Sequence, residues 1–176
     1  MTNILPQNHD YTVGIPSAEE NGQDVGALED GQAVGFLIDN TDPETHRRRA
    51  IQFVELRPEV YEIQMVERDA NNRPLCWSVE GNTADALQNA YAMEAIVLRD
   101  CENVRAVYQE ALEWRFLHTT ASGNDGFYIQ SPVWNKCIGV EGTLFTSGLM
   151  QLKFDCNLGA SHKFALRCHA PPSPPP

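Results

Sequence analysis

The feature that most constrains this chain is an internal repeat, because a motif recurring at long period decides architecture before local propensity does. One ordered series runs Tyr61-Glu62-Ile63-Gln64, Cys76-Trp77-Ser78-Val79-Glu80-Gly81, Leu98-Arg99-Asp100-Cys101, then Trp114. A second runs Phe127-Tyr128-Ile129-Gln130, Cys137-Ile138-Gly139-Val140-Glu141-Gly142, Phe154-Asp155-Cys156, then Phe164. A degraded third copy lies upstream and lacks both cysteines: Tyr11-Thr12-Val13-Gly14, Gln23-Asp24-Val25-Gly26, Leu37-Ile38-Asp39-Asn40 and a closing Phe53. Between these marks lie short apolar or alternating runs, such as Ala95-Ile96-Val97-Leu98 and Leu149-Met150-Gln151-Leu152, punctuated by Gly, Asn and Asp. Such runs are strands joined by turns.

Three copies of four short strands suggest an all-β fold, a β-trefoil of three repeats with short helical insertions in loops, in which each repeat lends an aromatic to a shared core. The repeats span about 11–56, 61–118 and 127–168 within a trefoil over 11–169, after an N-terminal segment 1–10. Residues 83–94 and 103–114 are rich in Ala, Gln and Glu and read as helical insertions, with a mixed α+β fold as the alternative. Residues 170–176, mostly proline, form a tail or linker, since proline supplies no ladder donor.

A chain of 176 residues suits one domain with a real core. Its formal charge of −11 disfavours nucleic acid and anionic lipid as partners, and no apolar run is long enough for membrane insertion as a helix. Five cysteines suit a secreted or extracellular setting, whereas the N-terminal residues carry no visible signal peptide.

The order Cys-x-x-Val, strand, Asp-Cys, aromatic resembles the ricin-B-type, or QxW, β-trefoil lectins, most clearly over Trp134-Asn135-Lys136-Cys137-Ile138-Gly139-Val140 to Asp155-Cys156-Asn157. The resemblance implies disulfides Cys76–Cys101 and Cys137–Cys156, each contributing about 3 kcal/mol by loop-closure entropy. It leaves Cys168 over, as a buried hydrophobe, an intermolecular partner or a reactive thiol.

The resemblance also implies where a sugar would sit: an acid two residues after the first Cys to accept hydroxyls, and an aromatic near the second Cys as a platform. The first repeat has Asp24 but Ile38 for the aromatic; the second has Ser78 and Arg99; the third has Gly139 for the acid but keeps Phe154, with Trp134 and Asn157 nearby. The Gln of Gln-x-Trp is replaced by Ile51, Leu112 and His162. Asp24, Trp134, Phe154 and Asn157 are therefore the candidate ligand residues.

Each has a plainer reading. Asp24 suits a turn; Phe53, Trp114 and Phe164 suit the core; Trp77 lies near a turn but suits partial burial. Asp39, Asp100 and Asp155 recur at one position, as a structural turn or backbone acceptor would.

His118, His162 and His169 lack metal-ligand spacing, and Cys168-His169 neighbours point to opposite sides of an extended chain. Arg47-Arg48-Arg49 reads as a solvated face. No phosphate loop, nucleophile elbow or dinucleotide turn is present, so no catalytic residue, metal or cofactor is expected. The reading is a non-catalytic lectin-like module whose partner is a glycan or glycoprotein. The alternative is a protein partner, with the loops acting as in a protease inhibitor.

Overall fold

A computed structural model of the chain describes residues 10–14, 25–26, 31, 34–36, 50–79, 94–119, 126–141, 149–154, 156 and 164–169. Among these lie twelve strands: β1 (Asp10–Gly14), β2 (Val25–Gly26), β3 (Gly35–Phe36), β4 (Ile51–Arg57), β5 (Val60–Met65), β6 (Leu75–Val79), β7 (Glu94–Asp100), β8 (Arg115–Thr119), β9 (Gly126–Ser131), β10 (Lys136–Glu141), β11 (Leu149–Phe154) and β12 (Ala165–His169). One helix, α1 (Cys101–Tyr108), is followed by a 3₁₀ turn (Gln109–Leu112).

Pairing closes six of the strands into a ring. β12 pairs β1, β1 pairs β4, β4 pairs β5, and β8 pairs β9, all antiparallel. Bridges Tyr61↔Trp114 and Phe127↔Phe164 join β5 to the head of β8 and β9 to the head of β12. A closed ring leaves no free edge for another chain to pair with. The other strands form hairpins β2–β3, β6–β7 and β10–β11, with β11 joined to both β3 and β7. A six-stranded barrel with three mutually paired hairpins is the β-trefoil expected from the repeats.

The barrel strands alternate as their sequences require. In β4, Ile51 and Phe53 are buried while Gln52 and Val54 are only partly so, since successive side chains take opposite faces. Tyr11↔Ile51, Tyr61↔Trp114 and Phe127↔Phe164 are equivalent pairs, as are Phe53↔Ile63, Phe116↔Ile129 and Leu166↔Val13. This corrects the sequence register. Phe53 is buried in the core as expected, but Ile51, not Phe53, is the counterpart of Trp114 and Phe164. In the first repeat the aromatic sits two residues later, which keeps it on the same face. There its ring meets Tyr11 at 4.6 Å and Phe116 at 4.9 Å between centroids. The counterpart of the family glutamine is then Arg49, outside the described residues.

The helical insertion expected over 103–114 is present and begins two residues earlier. Asp100 caps it: Oδ1 accepts from the backbone N–H of Glu102 at 2.9 Å and of Asn103 at 3.4 Å. The recurrent aspartate therefore has the backbone-acceptor role expected of it here; Asp39 and Asp155 lie outside the described residues. The insertion expected over 83–94 lies outside them too, except Glu94, which opens β7.

Placing α1 over the outer face of β5 has an electrostatic consequence. Tyr61 and Ile63 face the barrel core, so Glu62 points the other way, where an alternating strand would meet water. The insertion covers it, and Glu62 is fully buried. The same helix supplies the counter-ion, Arg105, whose Nε and Nη2 donate to the Glu62 carboxylate at 2.7 and 2.5 Å. Gln64 Nε2 donates a third bond at 3.0 Å. The Arg105 guanidinium is held more firmly protonated than an ordinary arginine, chiefly through its hydrogen bonds to Glu62.

Candidate functional site

Two disulfides fix the hairpins that carry the expected site positions. Cys76–Cys101 ties β6 to the first residue of α1, and Cys137–Cys156 ties β10 to the turn after β11, each with Cα atoms 5.2 Å apart. Both pairings are those the resemblance implied. Cys76, Cys101 and Leu112 form a small apolar cluster with Val104 packed on it, which seats the insertion on its hairpin.

In the third repeat, register sets Phe154 opposite Cys137, with an irregularity between Cys137 and Ile138. Gly139, which stands where the family places its acid, is buried in β10. Trp134 lies on the turn between β9 and β10, half-buried, with its inner side packed on the main core. The turn is built around Ser131 and Asn135. Ser131 O accepts from the Asn135 N–H at 2.9 Å, and Ser131 Oγ from the Trp134 N–H at 3.4 Å. Asn135 takes φ 54°, a left-handed conformation that asparagine tolerates, and its Oδ1 accepts from Gln130 Nε2 at 2.7 Å.

The structure adds a partner for Trp134 that the repeat pattern does not show. Tyr108, in the last turn of α1, approaches it with ring centroids 6.2 Å apart and planes tilted by 54°. Their chain neighbours Val107 and Val133 are 55% and 41% exposed. A partly exposed indole, a phenol and neighbouring amides give an apolar plane with polar groups around it, the combination a pyranose face and its hydroxyls require. Only the helical composition of residues 103–114 hinted that a second aromatic would arrive there.

The other sequence candidates divide sharply. Asp24, Ile38 and Asn157 lie outside the described residues, and of Phe154 only the strand position is described. Trp77 differs from expectation: it is fully buried, and no acceptor among the described residues engages its Nε1. Trp114 is likewise fully buried and donates from Nε1 to Trp77 O at 3.1 Å. The hairpin face that brings Trp77 inward is packed on the barrel, so nearness to a turn gives it no exposure. Of the histidines, His118 is exposed and stacks edge-on against Phe127 at 5.5 Å. Cys168 pairs with Tyr11 in the β12–β1 ladder.

Among the described residues, Glu62, Cys76 and Cys101 bring metal-type donor atoms within 4.8 Å of one another. Both sulfurs are spent in the disulfide, and the carboxylate is occupied by Arg105, so the trio serves packing and charge balance.

No protein-family model matches this chain, and no curated protein matches it in sequence. Solved structures do match. The designed three-fold symmetric protein ThreeFoil aligns with a TM-score of 0.61 at 12% identity, over 89% of this chain and 96% of its own. The Polyporus squamosus lectin, bound to the human-type influenza-binding epitope Neu5Aca2-6Galb1-4GlcNAc, aligns with a TM-score of 0.65 at 10% identity, over 94% of this chain. Cry35Ab1 aligns with a TM-score of 0.62 at 14% identity, over 97% of this chain. This chain spans 39% of Cry35Ab1 and 50% of the Polyporus lectin. The fold is an all-β trefoil.

Proposed function

We propose that this chain is a non-catalytic glycan-binding module of the ricin-B type, and that its third repeat holds a sugar site around Trp134, Phe154 and Asn157. The observation that carries the reading is Trp134 itself. It is a half-buried indole on a turn braced by Ser131, Asn135 and Gln130, directly before the disulfide-anchored strand in the most family-like stretch of the sequence. An aromatic held by packing on one side and open on the other costs little entropy when a sugar stacks on it. The first repeat, through Asp24, is the second candidate site.

The chain's three tryptophans make a direct test possible. Trp77 and Trp114 are fully buried, so acrylamide quenching of the intrinsic fluorescence reports chiefly on Trp134. A glycan-array screen should retain at least one sugar, and that sugar should protect Trp134 from quenching. Trp134→Ala and Phe154→Ala should then lose binding with the fold intact, whereas loss in Asp24→Ala alone would move the site to the first repeat. A folded protein that retains no glycan would remove the proposal.

A second reading, a protein partner, draws on the exposed Val107 and Val133 beside the two rings, since aliphatic patches suit protein surfaces better than sugars. Inhibition of cysteine or serine proteases would support it, and inactivity against both would end the inhibitor version.

A further inference from the structure

The β6–β7 hairpin departs from the family pattern in a way that points to a different ligand chemistry. Register pairs Cys76 with Arg99 and Ser78 with Val97, so Arg99 shares a hairpin face with Cys76 and Ser78. Phe154 holds the corresponding place opposite Cys137 in the third repeat. Where the family places a carboxylate and a flat aromatic, the second repeat therefore has a hydroxyl and a guanidinium. Ser78 is fully buried, and its hydroxyl donates to Val79 O at 3.1 Å, which leaves the arginine as the group that can meet a ligand.

Arg99 is half-buried, its Nε is shut off from solvent, and no acceptor among the described residues engages its guanidinium. Arg57, Arg73 and Arg105 each hold a carboxylate, on Glu113, Asp69 and Glu62. Arg115 also has an unengaged Nε, but it lies on barrel strand β8 against Gln130, away from the hairpin face at issue. Among the described residues, Gly31 is packed against the tip of Arg99. Its Nη1 lies 3.0 Å from the point a Cβ on Gly31 would occupy, and Gly31 is exposed, has φ 83°, and is anchored by its N–H to Leu98 O at 2.7 Å. Any side chain at position 31 would meet the guanidinium. A planar fork of N–H donors that no acceptor among the described residues engages is matched by a carboxylate or sulfate, which can accept two parallel bonds.

We infer that the second repeat is an oxyanion site, in which Arg99 receives the carboxylate or sulfate of an acidic sugar. The inference rests on the glycan reading above and adds to it a separate site, on the second repeat, with its own ligand class. The overall charge of −11 repels anions at a distance but is screened within about 8 Å at physiological salt, so recognition falls to the close contact with Arg99.

The test uses the full chain with lactose, 3′-sialyllactose and 3′-sulfolactose, together with sodium sulfate as a sugar-free probe followed at the Arg99 Nε–H resonance. The acidic sugars should bind about tenfold or more tightly than lactose, the advantage a charge-assisted pair supplies. Arg99→Ala should bring the acidic sugars down to the affinity of lactose. Arg99→Lys, which keeps charge but loses the fork, should recover only part of it, and Gly31→Ala should weaken it with Arg99 still present. Preference for one acidic sugar would separate carboxylate from sulfate recognition. Lactose binding without acidic preference, or a preference that survives in Arg99→Ala, would overturn the inference and leave the glycan reading standing. A sulfate-shifted Arg99 resonance without binding of any sugar would uphold the anion site and overturn the glycan reading. No response to sulfate or to any sugar would overturn both.

Discussion

Truncating Arg105 should damage the fold more than neutralising Glu62, and the asymmetry follows from which partner reaches water. Glu62 is fully buried, whereas the Arg105 side chain is 36% exposed. Arg105→Ala leaves a carboxylate inside with Gln64 as its remaining side-chain donor, and stranding a buried charge costs about 3–5 kcal/mol. The low end, about 3 kcal/mol, applies here, because the partly exposed site admits some water once the arginine is gone. Glu62→Gln strands nothing: the amide still hydrogen-bonds and Arg105 swings to solvent, so the loss is of charge-assisted bonds, about 1–2 kcal/mol. The double variant should be less destabilised than Arg105→Ala alone, because the second change removes the stranded charge. Guanidinium unfolding with both disulfides intact reads these differences as shifts in midpoint at constant slope. In a chain of this length about 3 kcal/mol should lower Tm by about 6–12 °C. An Arg105→Ala cost equal to or below that of Glu62→Gln, or strictly additive variants, would show that the pair does not hold α1 on the barrel.

Two further outcomes are expected. The Asp69 carboxyl is held below the usual carboxylate range, first by the Arg73 backbone N–H and then by the Arg73 side chain and the Asn71 N–H, against the opposing effect of desolvation. Its contribution is thus present above the unfolded carboxylate pKa and is lost as pH falls through the lower folded value. Asp69→Asn should flatten the acid limb of a Tm-against-pH curve below about pH 4, and an unchanged limb would refute the assignment. The disulfides close loops with sequence separations of 25 and 19 residues, worth about 3.5 and 3 kcal/mol by loop-closure entropy, so Cys76→Ser/Cys101→Ser and Cys137→Ser/Cys156→Ser should each lower stability by similar amounts. A change under about 1 kcal/mol in either pair would mean that the unfolded chain is not restrained by that link.

The parts of this molecule that were legible in the sequence share one property: they repeat. Cysteines recur in matched places, and the resemblance to ricin-B-type repeats implies their pairing; tyrosine or phenylalanine opening each repeat marks the first barrel strands. Where one copy had drifted, the inference from matching residues slipped. The ring of Phe53 matches it to Trp114 in the sequence, whereas pairing sets Ile51 at the place of Trp114, because a period-two strand lets an aromatic move two residues and still face the core. What does not repeat was legible only as local composition: residues 103–114 read as helical, but not where that helix would lie. Glu62 and Arg105 are 43 residues apart, and Arg57 and Glu113 are 56 apart; the first pair exists because α1 lies across β5, and the second joins β4 to the residue that follows the 3₁₀ turn. The Tyr108–Trp134 contact has the same origin, since it joins that helix to a turn of the next repeat. The same reasoning bears on function. A three-fold scaffold presents three similar hairpin faces, and each can drift without disturbing the core, as the isolated substitution of Arg99 at the place of Phe154 illustrates. Specificity in such a molecule is therefore to be sought in the positions where the three copies disagree, because agreement among them is what the shared barrel demands.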